Sequence, residues 1–289
     1  MLVSKNSLKN YVVVNGFLLS IGFAQYSVLV FYCQEVVWFN NFMVTLSCFV
    51  ARNYLLLNFI NYSTQTKLKI AQNYGDGNPR ERYKFEFHKH VVTSTAVEAV
   101  THIVISTGIS TGISISTGIS TGISTGVSSS LLYFIPVSFL FEIIFDFFHY
   151  GTHRLLHHRY FYTYLHKKHH KFKHPVAITT FYQDPLDLII TNSLPTMMTL
   201  VILHRMPFVP SISYLQFNLI AVYKSFIEIS GHSGKVSYPT CSFPQFIWLP
   251  KFLRIELYTE NHDLHHSRNN CNYAKRFTLW DKVFRTSFP

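Results

Sequence analysis

Three groups of histidines define the chemistry open to this chain. They read His153-Arg-Leu-Leu-His157-His158, His166-Lys-Lys-His169-His170 and His262-Asp-Leu-His265-His266. Residues three and four apart share a helix face, so each group can aim several imidazole nitrogens at one point. Neutral imidazole binds iron, zinc, copper and nickel. At least eight such side chains exceed the four ligands of a tetrahedral zinc, which predicts two first-row ions. In the first group His157 falls on the face of His153 while His158 is rotated away, so the spacing favours His157 over His158. His149 lies on the same stripe and is expected to bond water or to stand beside the ligands. His88, His90, His102, His174 and His204 lie outside the groups and are expected at a membrane interface or in solvent.

The elements that must carry these groups are membrane helices. The chain has 289 residues, 48% hydrophobic and only 13% charged, against about 25% charged in ordinary soluble domains. Its apolar residues come in blocks. Tyr11 to Cys33 carries no charge and exceeds the roughly 20 residues a span needs. Lys5 and Lys9 precede it without a small-residue cleavage site, so a retained anchor is expected. Val36 to Ile60 is a second block, in which Arg52 either ends the span near Val50 or snorkels to the interface. No charge or histidine occurs from Ile103 to Phe141, enough for two passes. Leu186–Leu203 and Phe208–Ile229 form a further pair. The predicted fold is therefore an all-α integral membrane protein, a transmembrane helical bundle in hairpin pairs with a cytosolic histidine-rich metal-binding cap.

Orientation follows from basic residues, because short loops rich in Lys and Arg stay on the cytoplasmic side. The N-terminus, 61–90, 154–173 and 235–285 are the basic segments. All fall on one side if spans pair as hairpins, together with the histidine groups. The formal charge of +11 then reflects topology and attraction to anionic lipid. No basic soluble domain or aromatic-basic repeat supports nucleic-acid binding.

Between Ile105 and Gly126 lie five copies of Ile-Ser-Thr-Gly, interrupted once by Ile113-Ser114. The glycine spacing matches small-xxx-small helix packing. A four-residue repeat generates that spacing by itself, and its β-branched and glycine residues weaken a helix, so an expanded turn away from the histidines is favoured over a packed helix. Cys33, Cys48, Cys241 and Cys271 form no CxxC pair, which suggests a reduced face and no zinc ribbon. There is no GxGxxG, no GxxxxGK[ST] and no HExxH. Any electrons must come from another protein.

Four stretches carry a family resemblance. Asp146 to His158 (DFFHYGTHRLLHH), Tyr164 to Pro175 (YLHKKHHKFKHP), Gly231 to Gly234 (GHSG) and His262 to Thr286 (HDLHHSRNNCNYAKRFTLWDKVFRT) are similar to the integral-membrane fatty acid hydroxylase and sterol desaturase superfamily. That superfamily includes sterol C-5 desaturases, C-4 methylsterol oxidases, cholesterol 25-hydroxylase and fatty acid 2-hydroxylases. The resemblance starts near Arg80-Glu-Arg-Tyr-Lys-Phe and implies two units: 1–79, a transmembrane hairpin and basic loop, and 80–289, a catalytic domain with the repeat inserted at 105–126. It implies a dinuclear iron centre, oxygen as cosubstrate, electrons from cytochrome b5 or a similar donor, and a membrane-lipid substrate. The location implied is the endoplasmic reticulum membrane, with the boxes facing the cytosol. By motif, the ligands are His153, His157, His166, His169, His170, His262, His265 and His266, with His232 of GHSG as a further one. Where some hydroxylases have a histidine four residues before it, this chain has Glu228.

Oxidising an unactivated C–H bond needs redox-active metal, which zinc is not. All-nitrogen ligation leaves cationic charge that carboxylates should offset, and Asp146, Asp184, Glu228 and Asp263 are candidates. Asp146 and Glu142, inside an apolar span, need partners, and Asp146 and Glu228 are read as functional. Trp280-Asp281 is expected to anchor the tail by packing. Phe181-Tyr-Gln-Asp184-Pro185-Leu-Asp187 is similar to the sterol C-5 desaturase pattern, and Glu228 to Gly234 to other sterol oxidases. The expected function is hydroxylation or desaturation of a sterol or related lipid. The competing classes are a histidine-rich metal transporter or metal-binding membrane protein, and a catalytically inactive family member; a transporter would place its ligands in mid-membrane.

Overall fold

A computed structural model of the protein describes residues 5–32, 38–71, 84–107, 131–236 and 242–288. Long helices dominate them: α1 (Lys5–Tyr32), α2 (Trp38–Ser63), α3 (Lys84–Thr107), α4 (Phe134–Leu156), α5 (Pro185–Arg205) and α6 (Tyr214–Gly231). Among the described residues four segments are long and apolar enough to cross a membrane, namely Leu8–Tyr32, Phe39–Ser63, Phe134–Leu156 and Pro185–Arg205. Ser94, Thr95 and His102 of α3 face inward, as do the polar residues of α6. Along α6, Gln216, Asn218 and Ser225 are buried together with Leu219, Val222 and Phe226, so the helix presents almost no face outward. It packs against α1, α2 and α4, while α3 packs on α2 and α4 on α5. The core joins Leu18, Leu56, Phe141, Phe145, Leu200 and Leu219.

Polar pairs stitch this bundle internally. Arg52 neither ends α2 nor snorkels: it is 2% exposed, pairs with Glu98 of α3 at 2.5 Å and lies over the Phe49 ring. A partner on the next helix makes the buried guanidinium tolerable, which a single block of sequence could not reveal. His102, expected at the interface, is likewise buried, stacked on Phe217 with Nε2 at 3.1 Å from the Tyr214 hydroxyl.

Beyond α4 the chain gives up regular helix. A π turn at Tyr162–His166 and 3-10 turns at His169–Lys171 and Ala177–Phe181 lead to α5. Asp184 starts α5, accepting the Leu186 N–H with Pro185 in the first turn, as N-caps do. After α6 come α7 (Thr259–Arg268) and α8 (Leu279–Val283). Asn269, at φ 64°, ends α7 in the left-handed conformation. The apolar stretch from Ile103 to Phe141 supplies the end of α3 and the start of α4. The repeat from Gly108 onward, Cys33, Cys241, and Arg80 and Arg82 lie outside the described residues.

Candidate metal centre

The three histidine groups converge where α4, the irregular turns, the end of α6 and α7 meet. They sort into two adjoining sets. His153, His157, His166, His170 and His265 form one, and His169, His232, His262 and His266 the other, the candidate ligand atoms in each lying within 4.8 Å of one another. The ring centroids of His170 and His266, one from each set, are 4.6 Å apart. All these residues are buried except His157, which is partly covered. His158 lies exposed beside Tyr160 and takes no part.

Hydrogen bonds at Nδ1 aim the rings. His153 donates to the Tyr273 carbonyl at 2.7 Å, His265 to the Cys271 carbonyl at 2.7 Å and His232 to the Glu228 carbonyl at 2.8 Å. His166 donates to the Asp187 carboxylate at 2.8 Å. A neutral ring with its proton on Nδ1 keeps a lone pair on Nε2. Yet Nε2 of His153 lies 3.1 Å from Nε2 of His166 and of His265, and His157 Nε2 lies 3.2 Å from that of His265. In the second set, His262 Nε2 is 3.1 Å from His232 Nε2 and 3.2 Å from His266 Nε2. On His153, His166 and His265, whose Nδ1 atoms are committed to acceptors, lone pairs packed this closely repel unless a cation lies between them. A bond of about 2.1 Å to a shared ion would set ligand pairs roughly 3.0 to 3.4 Å apart, so the donors fit a metal.

Burial keeps the rings in that neutral form. It holds His157 and His232 down to about 3. It carries His169, His170, His262, His265 and His266 well below the ordinary histidine value, with neighbouring histidines pushing the same way.

The carboxylates singled out in the sequence are each held by a partner in the fold. Asp146 accepts the backbone N–H groups of Lys275, Arg276 and Phe277 at 2.8, 2.9 and 3.0 Å, which pins the last segment to α4. Asp184 is spent on the start of α5, and Asp263 accepts from His174 at 2.9 Å. Glu228 accepts from Arg276 Nη2 at 2.7 Å, while Arg276 Nε also faces Glu142 at 2.8 Å. Asp281 holds the Tyr273 and Ala274 N–H groups, and the Trp280 indole donates to the Ile143 carbonyl, so the Trp-Asp pair anchors the tail by hydrogen bonds as well as packing.

Sequence reasoning missed three residues. Asp187, which orients His166, could have been found: Pro185 marks Asp184 as a cap, leaving the other carboxylate of that turn free. Tyr273 walls the first set, its ring 5.1 Å from that of His157, and Lys275 reaches the second. The Lys275 ammonium lies 2.8 Å from His262 Nε2, 3.3 Å from His232 Nδ1 and 3.6 Å from Glu228, and burial lowers it to about 8 against the pull of Glu228. Both lie in the last stretch that carries the family resemblance, but no ligand spacing marked them. His149 donates from Nδ1 to the Thr191 carbonyl at 2.7 Å and has no partner among the described residues for its buried Nε2.

The profile of the fatty acid hydroxylase family matches residues 138–286, α4 through the tail. A fatty acid hydroxylase of a Lecanicillium species is 36% identical over 51% of this chain and 40% of its own length. The C-4 methylsterol oxidase of Schizosaccharomyces pombe is 28% identical over 51% of this chain and 45% of its own length. Methylsterol monooxygenase 1 of Rattus norvegicus is 34% identical over 50% and 44%. The chain thus spans less than half the length of these relatives. No solved structure matches it.

Proposed function

The chain belongs to the fatty acid hydroxylase family, and from that premise we propose that it is a membrane-bound non-haem diiron oxygenase that hydroxylates or desaturates a membrane lipid, a sterol or a relative of one. One observation carries the reading: two adjoining buried sets of histidines whose Nε2 lone pairs crowd together. In this proposal the first ion takes His153, His157, His166, His170 and His265, and the second takes His169, His232, His262 and His266. Bound there, iron would supply the dioxygen chemistry that side chains lack.

The chain's own residues hold that centre. Asp187 and the carbonyls of Tyr273, Cys271 and Glu228 fix each ring, as groups bonded to ligands do elsewhere. Asp146 acts at one remove, setting the segment that carries Tyr273 and Lys275. Glu228, between Arg276 and Lys275, places negative charge beside the second set. Burial keeps water from the rings. Oxygen would be the cosubstrate, cytochrome b5 or a similar protein the electron donor, and the bilayer the source of the lipid. The spans would pair as hairpins in the endoplasmic reticulum membrane with the histidines toward the cytosol, residues 80–289 forming the catalytic unit.

Lipid extracts of cells with and without the protein, compared by mass spectrometry, test this reading when run beside metal analysis of the purified protein. The expected result is an oxygen-dependent lipid product and two irons per chain; no product together with a single zinc sinks it. The Lys275 ammonium on His262 Nε2 favours one second reading, an inactive relative whose second set holds no ion. One iron and no product would select it.

A further inference from the structure

A cavity runs inside the bundle below the histidines, walled by Phe141, Phe217 and Ile220 and by the polar side chains of Glu98, Asn192 and Lys224. Thr180, Gln183, Asn192 and Glu228 line both this cavity and the small space among the histidine rings, so the two adjoin. A cavity for hydrocarbon alone has no need of a charge.

Two of its charged groups are matched within the protein. Glu98 pairs with Arg52 at 2.5 Å and accepts from Ser225; Glu228 pairs with Arg276 at 2.7 Å. Lys224 is not. Among the described residues no carboxylate lies within 4.0 Å of its ammonium. Its direct partners are the Asn192 side-chain oxygen and the Phe145 ring, 4.9 Å away. An ammonium has three donors and Asn192 takes one. Lys224 is half-buried, and a charge partly withdrawn from water is costly until an opposite charge completes it. Lys224 also stands one helical turn before Glu228 on α6, so a group bound to it lies toward the histidine end of the cavity.

We propose that Lys224, steadied by Asn192, is the polar end of the substrate site and takes the carboxylate of a lipid acid in preference to the neutral alcohol of the same skeleton. The proposal rests on the lipid-oxidising reading for calling the ligand a substrate, but binding alone tests it. Two skeletons can present the carboxylate, an acyl chain or a sterol side chain.

Equilibrium dialysis of the iron-loaded full chain in detergent would compare radiolabelled palmitate with hexadecanol, and 3β-hydroxy-5-cholenoic acid with its 24-alcohol. In one pair the acid should bind about 10-fold tighter or more, the scale of a hydrogen bond to a charged group. That pair identifies the skeleton. Lys224→Met should erase the preference by weakening the acid far more than the alcohol, whereas Lys224→Arg should keep it. Equal binding of acid and alcohol in both pairs overturns the proposal, as does a preference that survives Lys224→Met. If that variant does not fold, as judged by iron content and Tm, Lys224→Gln takes its place, and the wild-type comparison decides in any case. Failure of the oxygenase reading would show instead as acid preference without any oxidised product.

Discussion

His166 shows how a single side chain is prepared for a metal. Asp187 holds its Nδ1 at 2.8 Å while the Nε2 atoms of His153 and His170 each stand 3.1 Å from its own Nε2. Removing the negative charge while keeping the shape, as in Asp187→Asn, should lower iron affinity by about 10–100-fold, read by competition with a chelator; unchanged affinity would reduce Asp187 to packing. Lys275 works in the opposite sense. An ammonium donating to His262 Nε2 occupies the lone pair an ion needs, so loading the second set requires Lys275 to turn to Glu228, 3.6 Å away. Lys275→Met should therefore raise iron occupancy of that set at limiting iron, as elemental analysis would record, and equal or lower occupancy would refute the competition. The boxes were legible because three- and four-residue spacings survive into the fold. Tyr273 and Lys275 were not, because their meaning comes from what the fold brings beside them, while Asp187 could have been read as the carboxylate its turn leaves free.

At the level of elements, irregular backbone does much of the positioning. The π turn at Tyr162–His166 sets the second box, and the one at Ile189–Ser193 contains Thr191, whose carbonyl receives His149; such bulges often accompany functional sites. The tail is held to α4 by Asp146, which accepts three backbone N–H groups. Asp146→Asn removes the charge behind those bonds and should cost roughly 1.5–3 kcal/mol, visible as a lower Tm with iron bound; an unchanged Tm would mean the tail holds by packing. Apolar runs made α1, α2, α4 and α5 readable. Arg52 and His102 were misread since their partners, Glu98 and Tyr214, stand on other helices. The Ile-Ser-Thr-Gly repeat offers no ligand or charge, so deleting Gly108–Gly126 should leave iron content and Tm nearly unchanged, loop length entering stability only slowly. Loss of iron would show that the repeat packs into the bundle.

The whole molecule carries a pH signature from its buried histidines. Burial depresses seven of them outside the spans, His157 and His232 to about 3 and the other five well below the ordinary histidine value. The unfolded chain then binds more protons than the folded one below the ordinary value near 6.5, so stability falls as pH falls through that value, by up to about 1.4 kcal/mol per pH unit for each ring. The metal-free protein should lose Tm steeply between pH 6.5 and 4; a flat profile would mean the rings are solvated. One further consequence follows from the first histidine set, which ties His153 on α4 to His265 on α7, 112 residues apart in sequence. An ion there would be a staple. A covalent link closing a loop of about 100 residues removes roughly 4.7 kcal/mol of disorder from the unfolded chain, and a tight coordinate link acts alike. Chelation should thus loosen α7 and the tail while the spans stay folded, so a protease would nick the cap first, and iron starvation would reach the cell as clipped protein before it appeared as lost membrane insertion.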